Sequence, residues 1–175
     1  MNQPFSQLAT IDRLRKENHA SIFWRIFRGI KLKWVVNMPD TLTRINPSTL
    51  PDTGSLGYSQ ISVADAGALA FVSGQVGADA KTSEVPEGLE LQIKQVIENL
   101  NAALHAINAG PEDIVQLRVY MIDLNQDSMA IAMPPLMRFL NGARPSLTGV
   151  GVAGLAGADL KVEIEMVVQV PVKSS

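Results

Sequence analysis

Side chains able to do chemistry are sparse in this chain, and their types narrow what it can catalyse or bind. Its 175 residues include no cysteine and two histidines, His19 and His105. A disulfide framework, a thiolate metal site and a cysteine nucleophile are therefore excluded. His105 follows Leu104 in a helical pattern and reads as a surface residue, so metal catalysis has little to build on. Glu163 and Glu165 alternate with Val162, Ile164 and Met166, which puts both carboxylates on one face of a strand. A carboxylate can position water and move protons, although the commoner fate of such a residue is plain solvation. Arg144, just before Pro145, reads as a surface cation; an arginine in a pocket would clasp a carboxylate through paired hydrogen bonds. Ser73-Gly74 interrupts an apolar strand, where glycine marks a bulge or a close approach by a ligand or another backbone. Tyr58 opens an alternating segment and reads, on its own, as a packing aromatic.

These residues need a scaffold, and hydrophobic periodicity supplies most of it. Asn46 to Gly57 is rich in Pro, Ser, Thr and Gly and reads as an irregular lead-in. Tyr58–Val63 alternates as a strand, Asp65-Ala66-Gly67 offers a hairpin turn, and Ala68–Val76 is the expected partner. Leu89, Ile93, Val96, Ile97, Leu100, Leu104 and Ile107 recur at helical steps, and Gly110-Pro111 closes the element. Val115, Leu117, Val119 and Met121 alternate with Gln116, Arg118 and Tyr120, giving a strand buried on one face. Ser128 to Leu140 is helical in composition, but Pro134-Pro135 conflicts with a helix interior. Either Pro134 opens a short helix near its first turn, or the element is kinked. Thr148–Val152 and Lys161–Val170 are the last strands. The order ββαβαββ predicts an α+β layer with the helices on one side of a mixed sheet. The helix between Val76 and Ile114 is the crossover that a parallel pairing needs.

Charge is distributed unevenly. Residues 1–37 carry seven Lys/Arg against two acids, whereas residues 38–175 carry eight against fifteen. The acidic body disfavours nucleic acid as a partner, because backbone binding needs clustered cations. Residues 22–36 hold both tryptophans, and Phe23, Phe27, Ile30 and Trp34 share a helical face. Four cations within that segment rule out an ordinary transmembrane span, and no cleavage site follows an uninterrupted apolar core. The segment reads as a basic amphipathic helix for an anionic membrane surface or a partner groove, as a loosely attached or disordered leader, or as a start-site artefact. Met38-Pro39-Asp40 makes a natural start for a single domain over 38–175, and a cytoplasmic setting is expected, with membrane contact only through residues 22–36.

Five segments in order resemble the Rid/YjgF family of reactive-intermediate deaminases. They are Gly57-Tyr58-Ser59-Gln60, Phe71-Val72-Ser73-Gly74-Gln75, Gln95-Val96-Ile97-Glu98-Asn99-Leu100, Val119-Tyr120-Met121-Ile122-Asp123 and Val162-Glu163-Ile164-Glu165. Pro145 and Val150-Gly151-Val152 set the register of a further family segment, and the resemblance spans roughly residues 45–170. It implies a chorismate-mutase-like fold and a homotrimer whose intersubunit clefts each bind a small molecule, with no cofactor. Deaminating relatives hydrolyse an imine or enamine derived from an amino acid to a keto acid and ammonia. By matching position, Glu163 inherits the water-handling carboxylate, Tyr58 the cleft aromatic, and Ser73 and Gly74 the strand lying against the ligand. The position of the arginine that holds the substrate carboxylate is occupied by Leu147. Gly149 stands where relatives often carry Thr or Cys, and Met133 or a neighbour where deaminating relatives place Asn. Losing the charged pair forfeits on the order of 1.5–3 kcal/mol per hydrogen bond, which argues for an altered or uncharged ligand. Arg144 is a candidate substitute. The resemblance thus leaves an enzyme of altered specificity, a non-catalytic small-molecule-binding trimer, and, least favoured by charge, RNA cleavage or translational inhibition.

Overall fold

The computed structural model describes residues 42–172; the expectations for residues 1–37, segment 22–36 among them, and the boundary at residue 38 lie outside the described residues. Eight regular elements follow in order: β1 (Leu42–Ile45), β2 (Ile61–Ala64), β3 (Leu69–Val76), α1 (Leu89–Ala106), β4 (Ile114–Met121), α2 (Gln126–Leu140), β5 (Ser146–Gly151) and β6 (Val162–Gln169). Alternation along β6 and β4 divides the main sheet into two faces. Val162, Ile164, Met166 and Val168 of β6 and Leu117, Val119 and Met121 of β4 are buried against the helices. Helix α1 meets them with Ile93, Val96, Leu100 and Leu104, and α2 with Ala132, Leu136, Phe139 and Leu140. The result is the expected α+β layer, two helices on one face of a mixed sheet.

The strand order in the main sheet is β3-β6-β4-β5. The last strand, β6, lies between β3 and β4 and is antiparallel to both. β3 and β4 therefore run parallel without touching, and α1 spans the gap between them. The directly parallel pair is β4 with β5, joined by α2, which is the right length for such a crossover.

Three local expectations are corrected. A four-residue strand, β1, precedes the expected set, so the order reads βββαβαββ. The hairpin at Asp65-Ala66-Gly67 does not form; β2 pairs with β1 in a separate two-stranded sheet instead. Side-chain bonds explain the diversion. Arg44 Nη1 donates to Ser62 Oγ at 2.7 Å, and its Nη2 donates to the Ile114 carbonyl at 2.7 Å. The Ser146 amide donates to the same Ser62 hydroxyl at 3.1 Å, which ties β2 to the start of β5. The Asp65 carbonyl accepts from Gln169 Nε2 at 3.0 Å, and a Cβ built on Gly67 would stand 2.7 Å from that nitrogen. The bend is thus pinned to the end of β6 rather than folded onto its own strand.

The third correction concerns Pro134-Pro135, which sit inside one helix spanning Gln126–Leu140; Pro134 opens no separate helix. The two missing N–H groups orphan the carbonyls of Ala130 and Ile131. Both residues are exposed, so water can serve those carbonyls. The helix start is strongly specified: Asn125 Oδ1 accepts from the amides of Asp127 (2.9 Å) and Ser128 (3.0 Å), and Ser128 Oγ accepts from the Asn125 amide (2.9 Å).

Candidate functional site

The sheet face turned away from the helices carries the polar side chains of the alternating strands. Register places them in rows. Phe71, Val167, Gln116 and Ser146 form one row, and Glu165, Arg118 and Thr148 the next. Val76, Glu163, Tyr120 and Val150 form a third. Neighbouring rows on one face are about 6.5–7 Å apart.

Ser73 and Gly74 form a β-bulge. Pairing jumps from Val72 opposite Met166 to Gln75 opposite Ile164, so two residues of β3 stand against Glu165 alone. The bulge makes room for a side chain. A Cβ built on Gly74 would overlap the Glu163 carboxylate, and Glu163 Cγ lies 2.7 Å from it. Glycine is required here because the half-buried Glu163 side chain crosses directly over the backbone.

Helix α1 holds both strands of this contact through two side-chain amides. Asn99 Nδ2 donates to the carbonyls of Val76 and Ala78, each at 2.9 Å, fixing the end of β3. Gln92, 1% exposed, donates from Nε2 to the carbonyls of Pro86 (3.0 Å) and Asp159 (2.8 Å). Its Oε1 accepts from the Lys161 amide at 2.7 Å, one residue before β6 begins. Both side chains lie at the margin of the helical face that periodicity assigns to the core.

Next to Glu163 lies an ionic group whose cation, Arg118, is absent from the sequence-derived candidates. Arg118 Nη1 donates to Glu165 Oε1 at 2.6 Å, and the Tyr120 hydroxyl donates to the same oxygen at 3.2 Å. The hydrogen bond to Glu165 raises the Arg118 pKa further above its ordinary high value, so the guanidinium is a permanent cation. Its side chain is 44% exposed, and a pair this open contributes about 0.2–1 kcal/mol to stability. Arg118 and Glu165 line a shallow depression of about 400 Å³ with Phe71, Ser73, Gln116 and Val167. Alternation identifies this polar face; only the register of β4 on β6 pairs Arg118 with Glu165.

The remaining candidates lie elsewhere on the chain. The Ser59 amide donates to the Pro145 carbonyl at 3.1 Å, holding the Tyr58 segment beside the start of β5, at the opposite sheet edge from β3. Leu147 pairs with Leu117 in β5 and packs, with Met133, against the core on the helix side. Arg144 precedes β5 and lines a smaller depression of about 230 Å³ with Leu42, Arg44, Glu112 and Asp113. Within one chain, therefore, Ser73, Gly74 and Glu163 come together, while Tyr58, Arg144 and Leu147 gather near the other sheet edge. Among the described residues no cluster of three or more His, Cys, Asp or Glu could hold a metal ion. No helix among them is long and apolar enough to cross a membrane.

Residues 53–170 match the family model described as endoribonuclease L-PSP. A RutC family protein of Pyrococcus horikoshii is 32% identical over 111 residues, covering 63% of this chain and 84% of that protein. The 2-iminobutanoate/2-iminopropanoate deaminase of Salmonella typhimurium is 34% identical over 104 residues, covering 59% of this chain and 80% of the deaminase. Among solved structures, YyfB of Yersinia pestis, described as a Rid-family protein of unknown function, superposes with a TM-score of 0.69 at 30% identity. The match covers 74% of this chain and 98% of YyfB. A two-helix layer on a mixed sheet and the match across residues 53–170 converge on one assignment: the chain belongs to the Rid/YjgF family, the family of the endoribonuclease L-PSP model.

Proposed function

We propose that this protein forms a homotrimer whose intersubunit clefts bind a small metabolite, and that it hydrolyses an imine, an enamine or a related compound there. The observation that carries the reading is the half-buried Glu163 carboxylate laid across the Gly74 bulge, whose other residue, Ser73, lines an open depression. A carboxylate held in this way places a water against an imine carbon, accepts a proton from it as the C–O bond forms, and returns a proton to the departing nitrogen. The separation of the candidate residues supports a shared cleft. Ser73, Gly74 and Glu163 of one copy would face the Tyr58 segment of its neighbour, so neither group completes a site alone. Similarity to a 2-iminobutanoate/2-iminopropanoate deaminase supports the reaction class.

Leu147 favours a second reading, a trimer that binds a small molecule without turning it over. Its side chain packs into the core margin and offers no charge to a substrate. RNA cleavage, suggested by the description of the family model, is opposed by eight Lys/Arg against fifteen Asp/Glu in residues 38–175.

Glu163→Gln separates the two principal readings. With 2-iminobutanoate generated in situ, ammonia release by the variant is expected to fall by about 10²–10⁴-fold, with affinity for 2-oxobutanoate little changed. Turnover insensitive to the substitution would sink the hydrolytic role, and absence of turnover in the unaltered protein would favour the binding reading.

A further inference from the structure

With Leu147 turned to the core, the charge of a carboxylated substrate lacks its usual receiver. The open sheet face holds another. We infer that Arg118 binds the carboxylate of a 2-imino or 2-oxo acid at this site, displacing or sharing Glu165; the inference rests on the cleft reading above.

Position is the first argument. Arg118 stands in the row next to Glu163, on the same face, and the diagonal between their strands is about 7–8 Å. A 2-imino acid has its carboxylate bonded directly to the carbon that water must attack. With the carboxylate on the guanidinium, that carbon can lie toward the Glu163 row, where the Glu163 carboxylate would position a water. On the other side of Arg118, Phe71, 77% exposed, and Val167 stand directly opposite each other and close that flank of the guanidinium with apolar surface. Ser73 adds a hydroxyl from the bulge, and the depression of about 400 Å³ accommodates a molecule of this size.

Charge and exposure are the second argument. Among the described residues, Arg118 is the single cation lining this depression. It meets Glu165 through Nη1 alone, whereas a guanidinium carries five N–H donors in a planar fork suited to bidentate carboxylates. Because the Glu165 pair is open to solvent, an incoming carboxylate can compete for the fork. Glu165 then tunes affinity, since a neighbouring carboxylate opposes a second anion.

Calorimetric titration of the full chain with 2-oxobutanoate, and with the uncharged butan-2-one, tests this. The unaltered protein is expected to bind the acid in preference to the ketone. Arg118→Gln should weaken acid binding by about 10- to 100-fold and leave ketone binding unchanged, as expected for the loss of a charge-assisted pair. Arg118→Lys, which keeps the charge without the fork, should fall between, and it carries the same test if the glutamine variant does not fold. Glu165→Gln should tighten acid binding. Acid affinity unaltered in Arg118→Gln overturns the inference, as does an unaltered protein that does not prefer the acid. Either failure would leave the Glu163 role intact. Conversely, a Glu163→Gln variant with full turnover would end the role given to Glu163, and an unaltered protein without turnover the hydrolytic reading, neither changing what the titration says of Arg118.

Discussion

At the scale of single residues, Gly74 and Glu163 form one device. The carboxylate crosses a backbone that carries no Cβ, so the side chain's direction is set by the bulge as much as by its own rotamer. Gly74→Ala is expected to displace Glu163 and abolish most turnover. Forcing a methyl into an occupied space should also cost about 1–3 kcal/mol of stability. Parallel urea melts and ammonia-release assays check both effects, and an alanine variant with full activity would refute the coupling. Much of this site is legible in the sequence: the Ser73-Gly74 interruption and the placement of Glu163 on a polar strand face both follow from local pattern. Leu147 is different. The family resemblance sets an arginine at its position, and only its pairing with Leu117 shows that the leucine serves the core.

At the scale of elements, α1 does more than cover the sheet. Gln92 bonds the carbonyls of Pro86 and Asp159 and the amide of Lys161, bracing the loop that delivers β6. Gln92→Leu keeps much of the volume but leaves those buried groups unpaired, at about 1–3 kcal/mol for each group left without water. Lower thermal stability together with reduced turnover at Glu163 is expected; a drop in stability alone would show that the brace does not position the site. The turn between α1 and β4 brings a pH dependence. Burial raises the Asp113 carboxyl pKa, more than the bond from the Gly110 amide lowers it, and Glu112 adds repulsion. A carboxyl whose pKa is raised by folding takes up protons in the native state. Its stabilising contribution is thus present below the unfolded value of about 3.9 and is lost as pH rises through the folded value. Asp113→Asn keeps an acceptor for the Gly110 amide and removes this term. Its melting temperature should fall less steeply than the parent's as pH rises from about 4, as thermal scans across pH would reveal.

At the scale of the whole molecule, the face opposite the helices exposes Leu69, Phe71 and Val150, while β2 exposes Ile61 and Val63. Apolar side chains clustered this way mark an association surface. Sedimentation is expected to give three times the 18.9 kDa of the chain, and Phe71→Glu should shift the distribution toward monomer and lower turnover together, since a shared cleft fails when copies part. A monomer with full activity would contradict the intersubunit site.

The sequence by itself determined the two-helix α+β layer, the buried face of each long strand and the family, because side-chain periodicity is a local property that survives without coordinates. Tertiary structure alone decided which strands pair. Pairing of Arg118 with Glu165 joins residues remote in the chain, and register between strands is settled by packing and buried hydrogen bonds. The same cause redirected β2 to β1 and β5, where Arg44 and Ser62 find partners that a hairpin would deny them. It also let Pro134-Pro135 stay inside α2, since the carbonyls they orphan belong to exposed residues.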